Sequence, residues 1–487
     1  MMVMPVDSLS LFLHYEYHIL IPEKKSLQAA RKLSGLFKSG GMSREFDIVL
    51  FGATGVTGVY VVEELYRTAK TEEPKLKWAV AGRSETKLKE TLKEVARILE
   101  LEEGALDKIP TVVADVADED SIAAMVKRSS IVLNTVGPYR FLGRPVVKAC
   151  IEHSTHHLDV SGEPQVRRHW QSGRNNILCF WCKYLEQMQN EFFQEAQEKG
   201  IFVLGACGFD SIPAEMLVTY LRNNLKGELG QVETFLTMRP GPKGMKINFG
   251  TWQSAIYGMA HASELLDLRK ESREKLFTKC VPPSETRLSR RNALFWSDVA
   301  NSWCLPFLGS DRSVLLHSEM FRYQLQGKRP AQVQTYVTVP SFLHGIGMML
   351  LAAVFAILSS FGVGRKLLEK FPELFSAGMV RRGGPTREQA LACSFTLLAR
   401  GKGWEDKLAE ATDRHASPPD KTVLVGLQGP DPAYVTTARC LVQTAMVILT
   451  EKDKMLGNGG VLSPGAALGQ TSYLDRLQKN GFKFQLL

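Results

Sequence analysis

From Pro330 to Gly364 the chain has no charged residue at all, in a protein whose 487 residues are 23% charged. Cysteine is also sparse in useful pattern: of eight, only Cys179 and Cys182 form a close pair. That excludes a disulfide framework and fits a reducing compartment. A lone CxxC is half of a zinc set, so no metal site is expected. The formal charge is +9, yet no nucleic-acid motif accompanies basic clusters such as Arg287-Leu-Ser-Arg290-Arg291 and Arg381-Arg382. They read as solvated surface, or as attraction to acidic headgroups or phosphorylated ligands, and nucleic acid is not an expected partner. No basic segment precedes the apolar LFLHYEYHILI, so it makes a poor secretory signal. SLQAARKLSGLFKSGG is basic and amphipathic, like part of a mitochondrial transit peptide, but Glu16 and Glu23 oppose that reading. A start at Met42 is the alternative, since the first strand pattern opens at Phe46.

What is present points to two or three domains. At 44% apolar the chain is neither disordered nor polytopic. FDIVLF is a strand-type apolar run, GATGVTG follows at once, and GVYVVEELYRTA has helical spacing. Gly52, Ala53, Thr54, Gly55, Val56, Thr57 and Gly58 therefore lie at a strand-to-helix turn, where missing side chains and a helix N-terminus admit a pyrophosphate. The next strand, WAVAG, ends at Arg83 and Ser84, where an NAD enzyme would place an acid for the ribose hydroxyl. A guanidinium there grips a 2′-phosphate, so the cofactor reads as NADP(H).

TVVADV, SSIVLNTV, THHLDV and IFVLGACG continue the alternation with helical stretches between them, which predicts an α/β fold with a doubly wound parallel Rossmann sheet. Ligands then sit beyond the strands' carboxyl ends: Asp115 and Val116 near the adenine, and the 134–140 loop near the nicotinamide. In that loop Gly137 is expected to meet the cofactor, and Asn134 and Thr135 either meet it or merely turn the chain. The one Tyr-x-x-x-Lys spacing, Tyr66 to Lys70, falls in the first helix, away from the nicotinamide, so a short-chain dehydrogenase mechanism is not expected.

FGATGVTG, AGRS, NTVGPYRFLGRPVVKACIE, LDVSGEP, GFDSIPAEM and GGVLSPGAALG, in this order, resemble the saccharopine dehydrogenase-like oxidoreductases from Phe46 to Leu487. The resemblance implies an NADP-type Rossmann domain, a second α/β domain holding substrate, and a C-terminal segment returning to the first. GFDSIP also resembles bacterial trans-acting enoyl reductases, which implies a lipid-linked substrate. VRRHWQSGRNNILCFWCK, 166–183, departs from the family pattern and reads as an added loop.

The expected organisation is an extension over 1–43, a nucleotide-binding domain over 44–212, an α+β substrate domain over 213–455, and a returning segment over 456–487. Candidate proton donors for a hydride transfer are Tyr139, His156, His157 and Asp159; each has a structural reading as ring cover, core or turn. Cys207 and Asp210 can line a pocket, Asp210 alternatively capping the helix near Pro213. The apolar run 345–364 just meets the roughly 20 residues of a membrane span. A buried core helix, a segment in one leaflet and a full span all remain open. Expected partners are a small-molecule or lipid substrate, a membrane or lipid droplet surface, and a second copy of the chain as a homodimer. The expected location is the cytosolic face of the endoplasmic reticulum or a lipid droplet, with mitochondria as the alternative. The rival to an enzyme is a nucleotide-binding, membrane-associated scaffold without turnover.

Overall fold

A computed structural model describes residues 44–72, 75–162, 166–167, 179–180, 183–260, 265–282, 284, 288–289 and 291–487. The readings of the N-terminal extension and of Cys182 fall outside these residues. Within the insert, Val166–Arg167 pairs antiparallel with Cys179–Phe180.

The first sheet holds β1 (Phe46–Phe51), β2 (Trp78–Gly82), β3 (Thr111–Val113), β4 (Ser129–Asn134), β5 (His156–Asp159) and β6 (Phe202–Leu204). Every pairing is parallel, and a late strand, Gly460–Leu462, adds to β6. The spatial order is late strand, β6, β5, β4, β1, β2, β3, so the order reverses between β1 and β4. FDIVLF is apolar on both faces because both faces are covered. Ile48 and Leu50 pack with Val61 and Leu65, while Val49 and Phe51 pack with Ile122, Met125 and Val146.

The second sheet is mixed. It contains β7 (Glu228–Arg239), β8 (Phe295–Ser297), β9 (Ser302–Pro306), β10 (Gln332–Val339), β11 (Ser394–Trp404), β12 (Lys421–Gly429) and the last strand, Lys483–Leu486. Its order is β8, β9, β10, β7, β11, β12, last strand, and only β10 with β7 is parallel. The returning segment thus divides: Gly460–Leu462 extends the first sheet, and Lys483–Leu486 edges the second. The helix Val435–Glu451 packs on Val56–Thr71. One hydrophobic core runs through Leu204, Ile212, Leu221, Phe395, Leu427 and Leu441, so Arg44–Leu487 is a single unit with both sheets on one core.

The apolar run is the helix Phe342–Ser359, opened by Ser341, whose hydroxyl accepts from the His344 amide at 3.3 Å. The core-helix reading is corrected: only 11% of the window is buried, and Leu343, Leu350 and Ile357 are 75, 63 and 60% exposed. Its 18 residues span about 27 Å. A second helix, Gly362–Lys370, folds straight back on it. A Cβ on Gly364 would stand 2.2 Å from the Leu358 carbonyl oxygen, so only glycine permits that turn. The long helix also touches the protein along its length, through Trp303 against Phe342 (5.0 Å between rings), Leu294 beneath Gly345, and Trp252 against Phe355 (4.7 Å).

Candidate coenzyme site

β1 ends at Phe51 and the chain turns through Gly52 at φ +93°. A side chain there would meet Thr135 Oγ1 at 2.7 Å, besides straining the backbone. Gly55 is the N-cap of Val56–Thr71 without a side-chain cap, and the first turn carries no acid. The opening amides of that turn have no intrahelical carbonyl to bond, so the helix presents them, with its partial positive charge, to an anion. Gly58 brings helix and turn together: a Cβ would lie 2.3 Å from the Gly52 carbonyl oxygen and 2.6 Å from that of Ala53. Both obstacles are backbone. Gly58→Ala is therefore expected to cost about 1–3 kcal/mol of stability, read as a lower denaturation midpoint, and to weaken nucleotide binding.

Arg83 leaves the end of β2 exposed and has no partner among the described residues. Ser84 is already engaged, since its hydroxyl caps Glu85–Ile98 by accepting from the Lys87 amide at 3.4 Å. Asp115 and Val116 stand half-buried beyond β3, and Asp115 Oδ1 accepts from the Ala117 amide at 3.1 Å. Asn134 is buried and shapes the next loop, accepting from the Val136 amide at 3.0 Å on its side chain and from the Tyr139 hydroxyl at 3.0 Å on its carbonyl. Thr135 ties β4 to β1 through two bonds to the Phe51 carbonyl, at 2.8 and 3.0 Å. Gly137 stands exposed at the tip of the loop. Asn134 thus bonds within the turn that follows β4, and Thr135 bonds that turn to β1.

The expected proton donors are largely buried in this structure. Tyr139, His157 and Asp159 are 7, 0 and 1% exposed. Asp159 accepts from the Ser161 amide (2.9 Å), the Ala206 amide (3.3 Å) and the Tyr184 hydroxyl (3.1 Å), binding the loops after β5 and β6 together. Burial pushes His157 down and so keeps it neutral. His156 accepts from the Phe202 amide and is pushed down to about 4 by burial. In this structure these residues bond to one another and to loop amides in the frame beneath the site. Cys207 is fully buried and its thiol is raised well above its ordinary value by burial. Asp210 is no cap, because Ser211 occupies that position.

A glycine turn at a helix N-terminus and an exposed arginine at the end of the next strand are the pattern of a dinucleotide-binding fold, and comparison with known proteins supports NADP binding in general. The family model for the saccharopine dehydrogenase NADP binding domain matches residues 48–204. The human saccharopine dehydrogenase-like oxidoreductase is 38% identical over 447 residues, covering 91% of this chain and 98% of that protein. The chain belongs to the saccharopine dehydrogenase-like oxidoreductase family. A Caenorhabditis elegans relative named lipid droplet localized protein is 32% identical over 448 residues, 91% of this chain and 99% of that one. A Mycobacterium tuberculosis relative provisionally named a trans-acting enoyl reductase is 27% identical over 461 residues, 91% of this chain and 97% of that one.

In this family member the GFDSIP loop carries an acid group of which the sequence showed only Asp210. Asp210 follows β6 at its carboxyl end, and near it lie Asp311, opening the helix Asp311–Gln326, and Glu215 in the first turn of Ile212–Leu225. Burial lifts Asp210 to about 6 and Glu215 to about 8. Asp311 is also raised, by burial first and then by the charges of Asp210 and Glu215. Its Oδ1 is buried without a hydrogen-bond partner among the described residues. Ser318 donates to Glu215 at 2.6 Å.

Between its ordinary value of 4.5 and about 8, folded Glu215 keeps a proton that the unfolded chain releases. The stability it contributes is complete below that window and declines as pH rises through it. The span corresponds to at most about 5 kcal/mol. Glu215→Gln is expected to flatten that decline, measured by denaturant unfolding at pH values from 5 to 8.

Proposed function

We propose that this protein is an NADPH-dependent reductase of an enoyl or carbonyl group on a lipid-linked substrate, working at a membrane or lipid droplet surface. The reading is carried by one pairing: an uncapped coenzyme turn with Arg83 beside it, and an uncovered apolar helix in the same unit. Bound NADPH would supply a hydride, with its pyrophosphate on the Gly52–Gly58 turn and its 2′-phosphate on Arg83. The chain's own part is to orient the acceptor and to provide a proton. We assign that proton to Asp210, half-buried at the carboxyl end of β6, whose carboxyl burial lifts to about 6.

The helix Phe342–Ser359 supports a one-leaflet seat over a span. It is flanked by protein along its length and doubled back at Gly364, so it does not project as a free rod. The names of the worm and mycobacterial relatives fit a lipid setting. The cytosolic face of the endoplasmic reticulum or of a droplet suits such a seat.

The burial of Tyr139, His157 and Asp159 favours a second reading, a nucleotide-binding scaffold without turnover. Fluorescence titration with NADPH, followed by NADPH oxidation with enoyl and keto lipids in vesicles, separates the two. Binding with oxidation supports the reductase. Binding without oxidation on any acceptor favours the scaffold, and folded protein that binds no NADPH rejects both.

A further inference from the structure

The apolar hairpin is joined to the coenzyme turn. After Pro372–Phe375 the chain forms a short parallel ladder, Ile247↔Val380 and Asn248↔Arg381, then bends through Gly383 and Gly384 at φ +87° and +78°. That bend lies on the phosphate helix: a Cβ on Gly384 would be 3.4 Å from Val56 Cγ1 and 3.5 Å from the Tyr434 hydroxyl oxygen. Arg387 then pairs with buried Glu63 of the same helix, at 2.9 Å for Nη2, and lies 5.6 Å over the Tyr60 ring. Tyr60 stacks on Tyr434, whose hydroxyl accepts from the Asn248 amide at 3.1 Å.

From Phe249 the helix Phe249–Ala260 carries the connection in both directions. Trp252 donates to the Leu368 carbonyl at 3.0 Å inside the hairpin, and Arg382 to the Glu369 carbonyl at 2.7 Å. At its other end the Tyr257 carbonyl accepts from Arg140 at 2.7 Å, and the Tyr257 ring meets Phe141 edge-on at 5.7 Å, in the element following the β4 loop. One structural piece therefore touches the first turn of the phosphate helix, the helix after the β4 loop and the helix Gly362–Lys370.

The outer side of that piece fits one kind of partner. Val363, Leu367, Phe371, Leu374 and Met379 are exposed, interleaved with exposed Lys366, Lys370, Arg381 and Arg382. Glu373 is the exposed acid among them. Apolar side chains rimmed by excess positive charge match an acidic phospholipid surface.

We propose that this piece is a lipid-seated roof over the coenzyme, so that an acidic phospholipid surface and NADPH each tighten the binding of the other. The inference rests on the coenzyme site proposed above. A surface that holds the hairpin fixes the Gly383–Gly384 bend against Val56, and a coenzyme beneath it then binds a site whose ordering has already been met. Linkage makes the effect reciprocal.

The experiment uses the full chain and vesicles of phosphatidylcholine with or without phosphatidylserine. NADPH affinity is read by fluorescence, and vesicle partition by flotation with and without NADPH. Acidic vesicles are expected to tighten NADPH by about fivefold or more, with the same factor appearing in partition. Arg387→Ala, which cuts the tie to Glu63, is expected to bring that factor towards one. Unchanged or weakened NADPH binding on acidic vesicles overturns the proposal while leaving the coenzyme site standing. Absence of vesicle binding also overturns it. Absence of NADPH binding, with or without lipid, fails the coenzyme site itself and the roof with it.

Discussion

Replacing Arg83 by glutamate is expected to weaken NADPH binding by a factor of about 100 or more, with NADH binding nearly unchanged. Arg83 stands exposed at the end of β2 with no partner among the described residues, so its guanidinium is available without breaking an existing contact. Hydrogen bonds to a charged group contribute about 1.5–3 kcal/mol, and bidentate phosphate contacts are among the stronger ones. Losing that range alone is roughly a 10- to 150-fold change. Reversal also places a carboxylate against a doubly charged phosphate, which adds repulsion. NADH lacks the 2′-phosphate and serves as the internal control for folding and for the Gly52–Gly58 turn. Parallel fluorescence titrations give the answer. Equal losses for both nucleotides would assign Arg83 to the shared part of the coenzyme; no loss for either would put the 2′-phosphate elsewhere.

The places of Arg83 at the end of β2 and of the glycine turn after β1 were legible because their signals are local. FDIVLF reads as a doubly covered strand, and Gly52 and Gly58 occupy places where a positive φ or a backbone 2.3 Å away admits nothing larger. The surroundings of the candidate proton donors were not legible, for the complementary reason. Tyr139, His157 and Asp159 have the side chains that chemistry uses, but a one-dimensional pattern does not reveal that Asp159 spends its oxygens on Ser161, Ala206 and Tyr184. Polar residues buried at strand ends must be satisfied somewhere, and here they are satisfied by one another and by loop amides. The acid group around Asp210 was half visible in GFDSIP, yet Asp311 arrives from a helix 101 residues later in the chain. The roof was hidden altogether. Arg387 and Glu63 are 324 residues apart, and only the common core brings them together. Length and composition announced the apolar run, but whether protein covers it is a tertiary fact.

That uncovered face sets the other large effect. Aspartate at Leu343, Leu350, Val354 and Ile357 together is expected to abolish co-flotation of the full chain with acidic vesicles. Burying each of these side chains in an apolar phase contributes about 1.5–3 kcal/mol, so removing all four lowers partition by roughly 6 kcal/mol or about four decades. The fold should withstand it. The four side chains are 45–75% exposed, and the contacts holding the helix run through Phe342, Gly345 and Phe355 instead. An unchanged unfolding midpoint and unchanged NADPH affinity without lipid verify that. Flotation equal to wild type would move the lipid contact off this helix. A wild-type protein that stays in the dense fraction as a dimer, and becomes monomeric in the variant, would give the face to a second copy of the chain. The exposed residues would then have a protein cover, the roof would have no lipid to sit on, and a lipid-linked substrate would lose its structural support.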